Sequence, residues 1–149
     1  MRLLISTPAD IVLEQDGIAH LRAEDASGAF GILPGHADFL TALPISVASW
    51  RLAQGGERHC ALRGGVLTVS GGEKIEIATR QAVLGTDLAQ LETEVLQAFH
   101  RANDEEERAR TEAARMQVAA IRQICGYLRP DRGIPLLSRA GALRQLPPE

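Results

Sequence analysis

A sandwich of short β-strands followed by a pair of helices is the fold this chain predicts, and three features predict it. Over residues 3–84, brief apolar segments are punctuated by Gly55-Gly56, Gly64-Gly65 and Gly71-Gly72 at the intervals of hairpins. Within them Lys74-Ile75-Glu76-Ile77 alternates strictly, the period of a half-buried strand. From Thr86 to Cys125 there is neither glycine nor proline, and Ala, Leu, Glu, Gln and Arg dominate, all strong helix formers.

The segments LLIST, IVLEQ, GIAHLRA, ISVASWRL, HCALR, VLTVS and KIEIATR read in order as strands. Gly71-Gly72 has the backbone freedom to reverse the chain between VLTVS and KIEIATR, so those two form a hairpin. With about eight half-apolar strands, two sheets face to face or a flattened barrel is the economical packing. In GAFGILPGHADFL, Leu33-Pro34-Gly35 places proline second and glycine third, the preference of a type II turn. Such a turn holds Ile32, Leu33, His36 and Phe39 as a fixed apolar knuckle.

After Thr86 the period changes. Asp87 can cap a first helix with Gln90 reaching back, and Asn103 or Asp104 with Glu106 or Glu107 can cap a second, which places a break near Asn103. Leu88, Leu91, Val95, Phe99 and Ala102 fall on one stripe; Ala109, Ala113, Met116, Ala120 and Ile124 fall on another, widened by Val118, Ile121, Cys125 and Leu128. Small alanines facing leucines let the two helices approach as an antiparallel hairpin whose contact is thin. Straightened at the break, residues 87–127 would make a rod about 60 Å long at ~1.5 Å per residue. The predicted organisation is therefore a β-domain over 1–86, a helical hairpin over 87–129 and a loosely docked tail over 130–149, whose four prolines end the helix near Arg129.

Composition narrows the function. The 149 residues are 45% hydrophobic but only 3% aromatic, so the core is built from Leu, Ile, Val and Ala. Net charge is −3, and residues 1–86, 87–129 and 130–149 carry −2, −2 and +1, so no region has the basic excess that a nucleic acid partner requires. The opening MRLLISTPAD has too short an apolar run for a signal peptide, and no stretch approaches the ~20 apolar residues of a membrane span. Cys60 and Cys125 read as reduced, half-buried thiols in a cytoplasmic protein.

Catalysis finds little support. His36 and Asp38 share a side if that piece is extended, but a metal hydrolase needs at least three protein ligands, and His20, His59 and His100 have no ligand spacing to them. There is no nucleophile elbow. Gly28, Gly31 and Gly35 lack the lysine and helix start of a phosphate loop. The expectation is a non-enzyme without cofactor or metal.

GAFGILPGHADFLTAL resembles the G-x-x-G-I-x-P-G-H-A-x-x-x-x-x-L signature of the ε subunit of rotary F-type ATP synthases. LLISTPADIVLEQDGIAHLRAEDASG is similar to the family's opening hairpin and ALRGGVLTVSGGEKIEIATRQAV to a later strand pair, and the likeness runs from Arg2 to about Leu128. ADFLTALPISVASWR resembles the alternate-operon branch. The resemblance implies a ten-stranded β-sandwich with a C-terminal helical hairpin, a non-catalytic rotor subunit that binds γ and rests on the c-ring, peripheral on the cytoplasmic face of the membrane. It implies docking through Ile32, Leu33, Pro34, Gly35, His36, Asp38 and Phe39; Ala29 stands where some relatives have glutamate. It also implies helices that extend into the catalytic α/β head and inhibit hydrolysis, with Arg108, Arg110, Arg115 and Arg122 available for acidic groups there. On that reading, ending the chain near Thr86 raises hydrolysis and leaves assembly intact. The alternative is a nucleotide sensor. Some relatives bind ATP at I/L-D-x-x-R-A; here Glu105, Arg108 and Ala109 fill the matching places, within four consecutive acids that would repel a triphosphate.

Overall fold

The computed structural model describes residues 1–128, so the expectations for residues 130–149 lie outside it. Among the described residues there are eight strands: β1 (Arg2–Ser6), β2 (Ile11–Gln15), β3 (Ile18–Asp25), β4 (Gly28–Ile32), β5 (Phe39–Leu52), β6 (Glu57–Ser70), β7 (Lys74–Thr79) and β8 (Ala82–Gly85). They hydrogen-bond in the order β2-β1-β7-β6-β5-β3-β4, with β8 also on β6. The ten strands implied by the resemblance become eight because β5 and β6 each run 14 residues through a bend instead of breaking there. Leu43 pairs with Gly65 and Ile45 with Arg63, so the bend sets Pro44, which has no N–H to donate, opposite Gly64.

Beyond the bend, β6 changes partner. Its second half pairs with β7 and its first half with β8. One sheet thus folds over a single core, in which Leu3, Ile5, Leu67, Ile75 and Ile77 meet Leu21, Trp50, Cys60 and Leu62. The predicted β6–β7 hairpin is present, with Ser70 opposite Lys74 across the glycine pair. At the β3–β4 turn, Asp25 accepts hydrogen bonds from the Ser27 hydroxyl, the Ser27 amide and the Thr41 hydroxyl. The Ser27 hydroxyl first, and then its amide, hold the Asp25 carboxyl below its ordinary range.

Cys60, Ala61 and Leu62 are buried in succession, so alternation fails in this part of β6. The cause is burial on both faces, since Cys60 and Leu62 face the core while Ala61 lies under a helix. That helix starts at Asp87, whose Oδ1 accepts from the amides of Ala89 (2.9 Å) and Gln90 (3.3 Å). Gln90 does not reach back; its amide turns forward to Glu94. An α-turn (Leu88–Gln90) and one wide π-type turn (Leu91–Val95) lead into an α-helix (Leu96–Leu128). Leu91 and Phe99 are buried against Ala61, with Val95 and Leu96 beside Ile45, Val47 and Val83.

In place of the expected two-helix hairpin there is one helix, unbroken through Asn103. No glycine or proline lies between Thr86 and Cys125, so around Asn103 each backbone N–H keeps its acceptor four residues back, and Asn103 and Asp104 are not used as caps. Met1–Glu106 packs as one compact unit that includes the first turns of the helix, and Glu107 opens the second. The thiols also differ from expectation. Cys60 is fully buried, which pushes its thiol up to about 12, whereas Cys125 is exposed on the helix.

Candidate functional site

The knuckle is built by two loops braced against each other. The His36 amide donates to Leu33 O at 3.1 Å, closing the predicted turn, and Gly35 sits at φ +81°, which the third position of a type II turn demands. Its amide donates to Gly72 O at 2.8 Å, and Asp38 Oδ1 accepts from the Gly71 amide at 2.8 Å. The loops are so close that a Cβ on Gly72 would stand 2.9 Å from Gly35 Cα. The glycine pair therefore closes the β6–β7 hairpin and supports the knuckle from behind.

Only part of the predicted docking set faces outward. Leu33 is 58% exposed, with Pro34 and Gly35 also exposed, while Ile32 is 0% exposed and is a core residue. His36 is half-buried, its ring edge-on to Phe39 at 5.7 Å, and Phe39 in turn is edge-on to Phe30 at 5.5 Å. Nδ1 of His36 lies 2.7 Å from Ala37 O and so carries the proton and donates. Asp38 braces the turn. Among the described residues no three or more His, Cys, Asp or Glu side chains converge, and His36 and Asp38 each have a backbone partner.

Leu40, 71% exposed, extends the apolar edge of the knuckle and went unread in the sequence. The signal was there in the alternation of β5, which turns Phe39 inward and Leu40 out. Asp38→Ala is expected to lower stability by about 1 kcal/mol, the net worth of one hydrogen bond, whereas Asp38→Asn keeps an acceptor and stays near wild type in thermal unfolding. Equal losses in both variants would assign Asp38 a role for its charge.

On the helix, Arg108, Arg110, Arg115 and Arg122 are all exposed. Seven residues are nearly two full turns, so Arg108, Arg115 and Arg122 fall in one row and Arg110 falls on the other side. Arg101 belongs to the same row, a member the sequence reading missed although its spacing shows it. Glu105, Arg108 and Ala109 are exposed as well. Met116, Val118, Ile121, Ile124 and Tyr127 present a largely uncovered apolar surface. No helix among the described residues is long and apolar enough to cross a membrane.

Residues 1–85 match the family model described as the β-sandwich domain of the ATP synthase delta/epsilon chain. The chain is 49% identical over 133 residues to the ATP synthase epsilon chain 2 of Paraburkholderia xenovorans, covering 89% of this chain and 96% of that one. It is 44% identical to the epsilon chain 2 of Cereibacter sphaeroides, covering 86% and 88%. In structure it is similar to a chain of the Euglena gracilis mitochondrial ATP synthase, with TM-score 0.53 and 21% identity over 64% of this chain and 61% of that one, a likeness of fold. A family match over the whole sandwich, together with near-half identity that continues through the helix, establishes that this chain belongs to the epsilon-chain family of the F-type ATP synthases.

Proposed function

We propose that the chain is a non-catalytic central-stalk subunit that couples the γ subunit to the c-ring through its sandwich and restrains ATP hydrolysis through its helix. The observation that carries the docking role is the braced knuckle. Leu33 and Leu40 are held outward beside the His36–Phe39 ring pair by a turn that the Gly71-Gly72 loop keeps from collapsing. A preformed apolar contact of this kind loses little conformational freedom on association, which suits a joint transmitting torque. It sits peripherally on the cytoplasmic side of the membrane in this reading.

Restraint of hydrolysis is supported by the row of Arg108, Arg115 and Arg122 on one exposed helix face, charges able to pair with acidic groups of the α/β head. The folded-back hairpin is the other state of this helix, with its bend near Asn103. Two measurements test the whole reading. The tagged chain is expected to co-purify with γ and the c-ring, and Leu33→Asp with Leu40→Asp to lose them. A chain ending at Glu106, assembled with its partners, is expected to hydrolyse ATP several-fold faster; unchanged hydrolysis overturns the brake.

A further inference from the structure

We propose that Glu106 is an electrostatic clamp, fixing the last docked turn of the helix to the bend of the sheet through Arg63 and Arg80. The clamp rests on the brake reading only for its consequence in the assembled enzyme. Arg63 lies at the bend, opposite Ile45, and its side chain is only 12% exposed. Its Nη2 stands 3.0 Å from Glu106 Oε1 as an ion pair, and neither Nε nor Nη2 has a hydrogen-bond acceptor. Arg80, in the turn between β7 and β8, brings Nη1 to 3.4 Å from the other oxygen, Oε2. One carboxylate is thus divided between two guanidiniums.

The arrangement follows from the chemistry of arginine. A guanidinium does not discharge at any physiological pH, so a site that covers it must supply a counter-charge. Among the described residues the only carboxylate within ion-pair distance of Arg63 is Glu106. That carboxylate is the third of four consecutive acids, and Asp104, Glu105 and Glu107 form no ion pair among the described residues. Asn103 and Glu106 are three apart and share a helix face, and Asn103 lines the cleft of about 690 Å³ that also holds Arg63, Arg80 and Thr79. The polar residues that read as a second helix start are therefore the side of the helix that meets the bend.

Two arginines against one acid leave the cleft with excess positive charge, which raises the case of a free anion. Nε and Nη2 of Arg63 are buried, and Glu106 Oε1 already stands against Nη2, which favours the helix carboxylate as the occupant. With Glu106 half exposed, the attraction is screened by salt and modest in strength. A contact of this size holds the helix down yet can be released, and beyond it, from Glu107 to Leu128, every residue is exposed.

Amide hydrogen exchange over residues 96–106 of the full chain tests the clamp. E106Q, which keeps shape and removes charge, is expected to exchange about 5-fold faster, and R80Q to show a smaller rise. R63Q should fall between R80Q and E106Q, with the E106Q/R63Q double variant no faster than E106Q alone, because Glu106 is the partner of both arginines. Salt at 0.5 M should speed exchange in the wild type but not in E106Q. Trp50 fluorescence verifies that each variant remains folded. Wild-type exchange in E106Q, or effects of E106Q and R63Q that multiply, would overturn the clamp. So would inorganic phosphate slowing exchange in the wild type, which would make the cleft an anion site. These readouts come from the free chain, so failure of the brake, seen only in hydrolysis by the assembled enzyme, is a separate result.

Discussion

Replacing Gly65 by alanine is expected to leave the chain without a stable fold. A Cβ there would stand 2.2 Å from Ala78 O and 3.0 Å from Thr79 Cα, both backbone atoms of β7, with no flexible side chain to move aside. Gly65 also has φ +155°, a conformation that side-chain-bearing residues rarely adopt. The position is where β6 leaves β8 and joins β7, and Gly65 pairs directly with Thr79. Making room means moving β7 away at the first rungs of its ladder, and the Thr79 hydroxyl that donates to Gly64 O goes with it. Strain, lost pairing and an opened core together should cost more than about 4 kcal/mol, the exceptional end of single substitutions. That is a large share of the ~5–15 kcal/mol that holds a domain folded. Urea unfolding followed by the single tryptophan, Trp50, which is 1% exposed, gives the measurement. A midpoint close to wild type would mean that β7 yields without penalty and that the bend does not require glycine.

What could be read from the sequence divides along a physical line. The β6–β7 hairpin, the type II turn at Pro34-Gly35 and the Asp87 cap were legible because each is decided by a few neighbouring residues with special backbone or hydrogen-bonding capacity. Long-range features were not. The stripe of Leu88, Leu91, Val95 and Phe99 announces a face to be covered but not its cover, and a second helix was the nearest apolar candidate in sequence. The sheet won because Ile45, Val47, Ala61 and Val83 form an outer apolar face of their own, hidden in HCAL by burial on both sides. Glu106 carried the chemistry of a cap, but its partners, Arg63 and Arg80, lie more than twenty residues away. In the knuckle the sequence did not show that Ile32 is core, that Asp38 accepts from the Gly71 amide and that Leu40 is surface.

A chain ending at Glu106 is expected to melt close to the full-length protein, whereas one ending at Thr86 should melt more than about 10 °C lower. The second cut removes Leu91 and Phe99, both buried, and uncovers Ala61 with the surrounding Ile45, Val47 and Val83. At ~1.5–3 kcal/mol for each large buried side chain, the two account for roughly 3–6 kcal/mol, and a domain of this size shifts by about 4–8 °C per kcal/mol. It also removes Glu106 and with it the ion pairs to Arg63 and Arg80. The first cut touches none of these contacts, because every described residue after Glu106 is exposed. Differential scanning calorimetry of the three chains decides the matter, and equal melting temperatures would show that the docked turns add nothing to the sandwich. The comparison bears directly on the brake. Faster hydrolysis with the chain cut at Thr86 could reflect a weakened sandwich slipping on γ, which the original expectation of intact assembly overlooks. Release with the chain cut at Glu106, where docking surface and clamp are retained, isolates the helix beyond as the restraining element.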